Sequence, residues 1–515
     1  MDTSTSYLAH QLSLLSDSIG GILPEFVLIA GFLLAIILEI TVGKRSKLIL
    51  PSAAIGTIVL FVATTLFLWP AEVPAQGNFL GMITPDRFAA YMKLLVGLGT
   101  VLALLAAQQS TKLRNDAKGM GEYYIVLLGM AVGMAFMTMA QNLLMVYLAL
   151  EMVSLPAYAL TAYARLRNKS AEAALKYVIY GCFASGVMLY GISWLYGFTG
   201  TLDPHSAAFG EGLVAAGVWP VTMMLVLVLG GFAFKIGALP FHFWMPDVME
   251  GAPHPVASLL AVAPKVAGFA MLIRFFASIH HSIALLPTED VQGLMQNLSW
   301  VLAILAMGSM LLGNLAALRQ DNLRRMLAYS SIAQAGYILA GVLFFQSSGF
   351  AVVMFYLTIY LCMNMVAFLL AGWLEEEAGI KTIKELKGLS ASLPMVAFIT
   401  ALAMVSLTGL PPTAGFIAKL RLFLAGLTEY QSTGQVVLVV LLIAVLLNTV
   451  LSLFYYLRVA STMVFGNPVI KTWPAFRGLI PVVLVGMSIP LLWLGIFSFD
   501  RLINFLQTLA PFANG

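Results

Sequence analysis

Long runs of apolar residues alternate with short polar segments along almost the whole chain. Most runs hold about 20 residues or more, the length that an α-helix needs to cross a hydrocarbon core of roughly 30 Å. The runs are continuous and do not alternate between apolar and polar residues, so they indicate helices and not barrel strands. The sequence therefore predicts fourteen membrane spans, at residues 22–40, 48–70, 86–107, 122–140, 142–163, 172–198, 217–239, 255–277, 294–316, 324–345, 350–374, 393–428, 434–462 and 476–498.

The composition agrees with a membrane protein, because 61% of the 515 residues are hydrophobic and only 10% are charged. The net charge of +4 is small for this length and does not indicate a nucleic-acid partner. Cys182 and Cys362 match no metal-binding spacing or disulfide framework, and both are expected to be buried small apolar residues. All loops are short, so we expect no cofactor and no metal on this chain and place any redox centre on partner chains.

Basic residues fall mainly in every second loop, and the loops between them contain few lysines or arginines. The positive-inside rule therefore predicts that both termini lie on the outer side of the membrane. Residues 1–21 contain no Lys or Arg, so they lack the basic region of a secretory signal, and the first span is expected to be retained. The basic clusters are Lys44, Arg45 and Lys47; Lys112, Arg114 and Lys118; Arg165, Arg167 and Lys169; Arg319, Arg324 and Arg325; Lys381, Lys384 and Lys387; and Lys471 and Arg477.

A weak internal repeat becomes visible when the chain is shifted along itself by about 180 residues. It predicts two five-helix units, 122–277 (spans four to eight) and 294–462 (spans nine to thirteen). A three-helix segment, 1–121, precedes them, and the last helix lies in 463–515. Because five is an odd number, the second unit enters the membrane from the opposite side, and the two units are inverted as in many transporters.

Proline interrupts the seventh and twelfth spans. Lys235 lies five residues before Pro240, and Lys419 follows Pro411 and Pro412. Proline removes a backbone donor and clashes with the preceding turn, so both helices are predicted to break. A simple packing kink is the alternative for either helix alone. Two breaks in corresponding positions, each near a lysine, favour non-helical backbone that lines a hydrated cavity.

Ionisable residues also lie deep inside the spans. Glu151 and Lys265 are each about ten residues from either end of their span, or ~15 Å along the helix axis. A charge there costs ~2.5 to 3.5 kcal/mol even on the most lenient scale, so we expect these residues to move charge; a structural ion pair is the alternative. Lys93 and Lys176 lie within two turns of a span end, where snorkelling to the interface and a functional role both remain open.

Three segments resemble the antiporter-like membrane subunits of respiratory complex I, the proton-translocating NADH:quinone oxidoreductase. They are LALEMVSLPAYAL around Glu151, FKIGALPFHFWMPDVMEGAPHPVASLLAVAPKVAGF at 234–269 and SLTGLPPTAGFIAKL at 406–420. The family also includes Mrp-type cation/proton antiporters. Within it the chain is most similar to the subunit N or subunit 2 type, because it has fourteen spans, no long lateral helix and Lys419 where the M type carries Glu. The resemblance implies an all-α polytopic fold with broken helices seven and twelve.

The resemblance also implies a proton relay. Glu151 matches a fifth-helix glutamate that pairs with the seventh-helix lysine, Lys235. Lys265 matches the lysine of a central hydrophilic axis, and Lys419 matches the lysine of a second half-channel. Separating Glu151 from Lys235 would make the lysine release its proton and would set the direction of transfer.

Three further residues stand close to the same pattern. Lys176 matches a lysine in the sixth helix of subunit N, and it is a weaker candidate for the relay. His242 follows the seventh-helix break, where it either supports a water chain or is a satisfied interfacial histidine. His254 stands where this family is not expected to carry a histidine, and it is given no role.

The implied function is proton translocation in the membrane arm of complex I, driven by quinone reduction on other chains. Quinone, iron-sulfur clusters and flavin are expected on partner subunits, and the electron donor, NADH or ferredoxin, stays open. The expected partners are the M and L antiporter-like subunits, the small K, J, A and H types and the peripheral arm. The expected location is a bacterial inner membrane, and a thylakoid membrane stays open as the alternative. The alternatives are a subunit of an Mrp-type Na⁺/H⁺ antiporter and a scaffold whose buried charges only lock helix packing.

Overall fold

The computed structural model describes residues 13–42 without 14 and 17, then 48–70, 78–114, 120–164, 168–284, 289–344, 347–465, 478–497 and 499–509. Most of 1–21, and several basic loop residues used for the orientation prediction, lie outside the described residues. These loop residues are Lys44, Arg45, Lys47, Lys118, Arg165, Arg167, Lys471 and Arg477.

Within this part of the chain, the helices of fifteen residues or more are numbered in chain order. They are α1 (Leu23–Thr41), α2 (Ile49–Phe67), α3 (Arg87–Gln109), α4 (Gly121–Met139), α5 (Leu143–Thr161), α6 (Asn168–Thr199), α7 (Val218–Ile236), α8 (His254–Ala284), α9 (Glu289–Leu318), α10 (Leu323–Val342), α11 (Ser347–Glu377), α12 (Pro394–Thr408), α13 (Ala414–Thr433), α14 (Val436–Val464) and α15 (Leu479–Ile496). Shorter helices include Ala207–Ala216, Trp244–Gly251 and the amphipathic Phe499–Gln507.

Every predicted span coincides with helix. The first eleven spans are α1 to α11, the twelfth is α12 and α13 together, and the last two are α14 and α15. Among the described helices, 12 are long and apolar enough to cross a membrane. The remaining three are α10, which carries buried polar side chains, and the two halves of the broken twelfth span. The predicted all-α polytopic fold is confirmed.

The centre of the molecule is formed by α8 and α11, which pack side by side and are almost completely buried. In contrast, less than half of each span in α1, α14 and α15 is buried. A helix that is apolar on all sides and buried on all sides belongs to the interior of a large helical assembly. Lys265 is therefore carried by the most enclosed helix of the protein.

Helices in corresponding positions of the two predicted units make corresponding contacts. The α4–α5 pair is matched by α9–α10, and the packing of α4 against α8 is matched by that of α9 against α14. Likewise, α6 contacts α7 and Trp244–Gly251, the segments on either side of the first break, as α11 contacts α12 and α13. The unit boundaries themselves stay a prediction.

The loops gather on two opposite faces. One face, called here the basic face, joins Lys169 at the start of α6, Glu250 before α8 and Arg325 at the start of α10 by ion pairs. On the opposite face, the backbone of the α2–α3 loop bonds to that of the α4–α5 loop, and the rings of His205 and His281 stack with centroids 4.1 Å apart. Each of these contacts joins loops or helix ends that are an even number of spans apart, as a chain that repeatedly crosses a membrane requires.

One of the two cysteine predictions is wrong. Cys362 on α11 is buried, but Cys182 on α6 is exposed. It shares a side of α6 with Ile179 and Phe183, which are 59% and 63% exposed. Lipid is as apolar as a protein interior, so an apolar sequence does not show which side of a helix faces other helices.

Candidate functional site

Both broken helices end at a glycine, and the prolines follow. Gly237 comes directly after α7 and Gly409 directly after α12, with positive φ angles of 70° and 84°. In each case the N–H of the glycine and that of the next residue donate to carbonyls of the last helical turn, at 2.7–3.2 Å. This is the Schellman motif, which requires a left-handed residue. The two predicted breaks are confirmed, and their cause is the glycine, with Pro240 and Pro411 preventing the helix from continuing.

Lys265 lies at the first break and is 1% exposed. Its Nζ donates to the Oγ of Ser331 at 2.7 Å and to the Ser331 carbonyl at 2.9 Å. The Ser331 hydroxyl is 2.5 Å from the hydroxyl of Tyr360, which in turn donates to a carbonyl of α8. The ammonium group is 3.5 Å from the position that a Cβ on Gly237 would occupy. The missing side chain of this glycine gives the lysine access to the break.

Lys419 lies across the second break and is 6% exposed. From α13 its Nζ reaches back to donate to the carbonyls of Thr408 at 2.8 Å and Leu407 at 3.3 Å, the last two of α12. The negative end of the helix dipole favours a cation at this position. The Nζ also lies 4.4 Å from the centroid of the Tyr337 ring, within range of a cation–π contact. Lys419 thus satisfies the open end of α12.

Lys235 is 2% exposed, and its Nζ donates to the Oγ of Ser154 on α5 at 3.1 Å. Glu151 lies one turn before this serine. Between the two described residues there is no ion pair of 4.0 Å or less, and one Glu151 oxygen is buried without a hydrogen-bond partner. The Glu151–Lys235 pair implied by the family resemblance is therefore not in direct contact in this structure.

Buried polar groups on α10 connect the two lysine sites at the breaks. Ser331 holds the first lysine, and its neighbour Ser330 is hydrogen-bonded to the hydroxyl of Tyr456. Gln334 donates to the same hydroxyl at 3.3 Å and to the Leu407 carbonyl at 3.0 Å. That carbonyl is also an acceptor for the lysine of the second break. A nearly continuous set of hydrogen-bonding groups thus runs through α10 from one break to the other.

Sequence reasoning did not single out these α10 residues. The signal was nevertheless present, because Ser330, Ser331 and Gln334 lie one turn apart or adjacent in a predicted span that is less apolar than its neighbours. Residues three and four apart share a helix face. A polar face inside a span requires partners in the protein, since lipid offers none.

Two buried ion pairs were also missed. Lys93 on α3 is 2.7 Å from Glu25 on α1, and both side chains are almost completely buried. Arg274 on α8 binds Asp86 with two hydrogen bonds of 2.7 and 3.0 Å, again with both groups buried. For Lys93 the snorkelling interpretation is wrong. Both cations have a full counter-charge, which is the arrangement expected of a structural pair.

Two weaker candidates are placed apart from the buried lysines. Lys176 is partly exposed on the basic face, where it pairs with Asp247 at 2.8 Å and Glu172 at 2.7 Å. His242 is buried beside the first break, but no hydrogen bond joins it to Lys235 or Lys265, and its Nδ1 has no partner among the described residues. The structure therefore brings neither of them into the hydrogen-bonded series.

The Lys176 pair is part of a network that holds Trp244–Gly251 in place. Arg325 bridges both carboxylates of this short helix, at 2.7 Å to Asp247 and 3.1 Å to Glu250. Partial burial raises the pKa of Asp247, but hydrogen bonds from Lys176 and Arg325 outweigh it and leave the pKa below its ordinary value. The pKa of Glu250 is lowered in the same way. The network fixes the segment that follows the first break.

An all-helical membrane fold with lysines buried at two glycine-capped breaks defines the class of antiporter-like membrane subunits. The family described as NADH:quinone oxidoreductase/Mrp antiporter, TM, matches residues 140–448. NADH-quinone oxidoreductase subunit N of Chlorobium chlorochromatii is 37% identical over 462 residues, which cover 89% of this chain and 87% of that protein. The chain belongs to this family.

Solved structures agree with this assignment. A chain of respiratory complex I from Thermus thermophilus superposes with a TM-score of 0.75 at 29% identity, covering 93% of this chain and 98% of that chain. A chain of the Mrp complex from Dietzia reaches the same TM-score of 0.75 at 22% identity, covering 96% of this chain and 97% of that chain. At that identity, the second likeness shows the fold alone.

Proposed function

We propose that this chain is the subunit N-type, proton-translocating membrane subunit of an NADH:quinone oxidoreductase of the complex I kind. It acts as part of a translocase, and the redox chemistry takes place on other subunits. The curated relatives named as subunit N support this proposal, since this chain aligns with them over most of the length of both proteins. The Mrp-type antiporter is the second candidate and uses the same fold.

The observation that carries the proposal is the contrast between paired and unpaired buried cations. Within the described residues, Lys235, Lys265 and Lys419 have only neutral oxygen atoms as partners and no carboxylate within 4.0 Å. An isolated ammonium in a low-dielectric interior is neutralised by giving up its proton. Lys93, in contrast, has the carboxylate of Glu25 at 2.7 Å. Three lysines that readily exchange protons, in series across two breaks, form a relay.

The proposed path follows the hydrogen bonds. Lys235 is loaded through the first five-helix unit, 122–277, and Lys265 carries the proton along the membrane plane. The α10 groups pass it to Lys419, which exchanges it through the second unit, 294–462. Glu151 controls loading, since its approach to Lys235 would favour the protonated lysine and its withdrawal would favour release. The open pair in this structure corresponds to the releasing state.

The proposal also covers the partner subunits, the cofactors and the location. The partners are the other membrane subunits, of the M and L antiporter-like types and the small K, J, A and H types, together with the peripheral redox arm. Quinone, iron-sulfur clusters and flavin belong to those partners. The location is a bacterial inner membrane with both termini outside, because the basic face would then lie on the inner side.

Replacing Lys235 with Ala tests the relay. The purified complex is reconstituted into vesicles, and quinone reduction and vesicle acidification are measured together. Lys235→Ala should assemble and abolish the pumping that is coupled to quinone reduction. Lys384→Ala is the matched control, because Lys384 is an exposed lysine of the basic face and should pump normally. Normal pumping by Lys235→Ala would refute the assigned role.

The partners decide between the two candidate functions. Purification of the chain with quinone-reducing subunits that carry iron-sulfur clusters supports the complex I proposal, whereas purification with small antiporter subunits supports the Mrp-type candidate. Glu151→Gln then separates a relay from a scaffold. A relay should lose pumping while the complex remains assembled, whereas a scaffold should lose stability.

A further inference from the structure

The ring of Tyr337 lies against the lysine of the second break. This side chain of α10 is completely buried, and its ring centroid is 4.4 Å from the Nζ of Lys419 on α13. An ammonium group has three N–H donors. The carbonyls of Thr408 and Leu407 accept hydrogen bonds from this one, and among the described residues no other acceptor bonds to it. The aromatic ring is therefore the remaining partner of the Lys419 ammonium.

A contact of this kind depends on the charge of the lysine. The face of an aromatic ring carries negative charge and attracts a cation, and the attraction is stronger when both groups are shielded from water. It is lost when the ammonium gives up its proton, because the neutral amine is not a cation. Lys419 and Tyr337 are both buried, so water does not weaken the contact. The ring therefore favours the protonated state of Lys419, as the carbonyl end of α12 also does.

The other two lysines of the proposed relay have a weaker aromatic contact or none. Lys265 is 5.9 Å from the centroid of the Tyr360 ring, close to the limit of about 6 Å for a cation–π contact. Tyr360 acts there through its hydroxyl, which is hydrogen-bonded to Ser331 and to a carbonyl of α8. Among the described residues, no aromatic ring lies under the ammonium of Lys235. A close aromatic partner thus distinguishes Lys419 from the other two.

The backbone next to Tyr337 is held by close packing between α9 and α10. A Cβ on the preceding residue, Gly336, would lie 2.7 Å from the carbonyl oxygen of Ala306 and 2.8 Å from the backbone nitrogen of Met310, both on α9. A residue with a side chain could not pack this closely without moving one of the helices. The glycine therefore sets the point on α10 from which the Tyr337 side chain starts.

The hydroxyl of Tyr337 lies in polar surroundings between α9 and α14. The side chains beside it are Asn314, Thr449 and Ser452. Asn314 is itself fixed, since it donates to Asn448 at 3.0 Å and accepts from the hydroxyl of Tyr455 at 2.9 Å. The Tyr337 hydroxyl makes no direct hydrogen bond to the described residues, and at such a buried position an ordered water molecule is expected. The polar end of the tyrosine thus has polar neighbours, whereas its ring contacts the lysine.

We propose that Tyr337 is a positioning residue that stabilises the protonated form of Lys419, so that Lys419 is the end of the relay at which the proton is held. This inference rests on the proposed function, because it assigns different tasks to the lysines of that relay. A proton that passes along α10 from Lys265 reaches an ammonium with an additional, charge-dependent partner. The tyrosine acts through the lysine and does not itself carry the proton.

The helices packed against Lys419 offer it no counter-charge near the break. The helices α12 and α15 contain no ionisable residue. The ionisable side chains beside Tyr337 on α11 and α14 are tyrosines, which keep their protons at neutral pH: Tyr356, Tyr455 and Tyr456. On α13 itself, Arg421 is bound to Asp500, and Glu429 is ten residues from Lys419, or ~15 Å along the helix axis. The charged residues of α10, α11 and α14 lie at the basic-face ends of these helices, and they are Arg324, Arg325, Glu375, Glu376, Glu377 and Arg458.

Fluorination of the ring tests this role while the shape of the side chain is kept. In the intact complex, Tyr337→Phe is the reference, and pentafluorophenylalanine in place of Tyr337 has the same ring without its negative face. Quinone reduction and vesicle acidification are measured together across neutral and alkaline pH. Loss of the contact should lower the proton affinity of Lys419 about tenfold, so the alkaline pH at which pumping falls to half should move down by about one unit relative to the reference. Identical pH profiles would overturn the proposal.

A matched control comes from Tyr123 on α4. This tyrosine is also buried, its hydroxyl makes no hydrogen bond to the described residues, and none of the described lysines or arginines lies over its ring. Pentafluorophenylalanine in place of Tyr123 should leave the pH profile where Tyr123→Phe has it. An equal downward shift at both positions would overturn the proposal, because the effect would then not depend on a nearby lysine.

Lys419→Met provides a second measurement and separates the two levels of inference. At pH 6, fluorination at position 337 should lower the thermal midpoint of the assembled complex only while Lys419 is present. An equal decrease in the Lys419→Met background would show a packing effect and would overturn the proposal. If Lys419→Met pumps normally, the proposed function fails. If Lys419→Met loses pumping but fluorination changes neither the pH profile nor the midpoint, the role of Tyr337 alone is wrong.

Discussion

The buried Arg274–Asp86 pair allows the sharpest quantitative prediction. Arg274 makes two hydrogen bonds to the carboxylate, and both groups are almost completely shielded from solvent. Removing one partner leaves an uncompensated buried charge, which costs about 3–5 kcal/mol. We therefore expect Arg274→Met to lower the free energy of unfolding by that amount, although it replaces a charged side chain with an apolar one.

Asp86 also caps α3, and the variant that removes its charge must keep this cap. Its Oδ1 accepts from the N–H of Ala89 at 2.8 Å and caps α3. Loss of such a cap costs about 1 kcal/mol, whereas serine is an equally good cap. Asp86→Ser therefore removes the charge and keeps the cap, so its cost reports the unpaired Arg274. With both charges removed, the double variant should cost less than either single variant.

The assay is detergent-induced unfolding of the full-length chain in mixed micelles, followed by circular dichroism for all four members of the cycle. The coupling energy is the difference between the double variant and the sum of the single variants. Strictly additive effects, or a cost below about 1 kcal/mol for Arg274→Met, would show that the pair is hydrated and not buried as a unit.

Two further predictions concern the breaks and the basic face. Gly237→Ala forces a side chain into a left-handed conformation, which costs about 1–2 kcal/mol. Its Cβ would also meet Met245 at 2.8 Å, so both thermal stability and pumping should fall. Arg325→Gln should lower the thermal midpoint at pH 7. Folding lowers the pKa values of Asp247 and Glu250, so their ion pairs stabilise the protein above the ordinary pKa values of 3.8 and 4.5. The difference in thermal midpoint between Arg325→Gln and wild type should therefore shrink as the pH falls through the lowered pKa values of the folded state.

Each of these two predictions can be checked within the same chain. Gly434 also has a positive φ, 65°, but no atom of the described residues lies within 4 Å of the position that a Cβ there would take, so Gly434→Ala reports the backbone cost alone. Equal effects at the two glycines would contradict the crowding argument. For the basic face, a difference between Arg325→Gln and wild type that stays constant from pH 7 to pH 3 would contradict the role given to the two carboxylates.

The buried cations discussed above fall into two groups, those with a carboxylate partner and those without one. Lys93 and Arg274 are bound to carboxylates and fix helices to one another. Lys235, Lys265 and Lys419 are held by hydroxyls and carbonyls. The first arrangement gives each cation a full counter-charge, whereas the second offers only neutral acceptors. Sequence position does not separate the two groups, because all five residues lie within apolar helices.

The sequence by itself determined the number and approximate positions of the membrane spans, since a bilayer requires long apolar runs and the chain has little else. It also determined the two breaks, because Gly and Pro act on the local backbone, and the depth of Glu151 and Lys265, because depth is a count along a helix. These features depend on neighbouring residues in the chain.

Only the tertiary structure decided which buried cation has which partner. Glu25 is 68 positions from Lys93 in the chain, and Asp86 is 188 positions from Arg274. The path through α10 likewise depends on Tyr456 and Leu407 from other helices. Hydrogen bonds and ion pairs act over a few ångströms in space, so contacts between helices are fixed by packing, and a pattern read along one helix does not contain them.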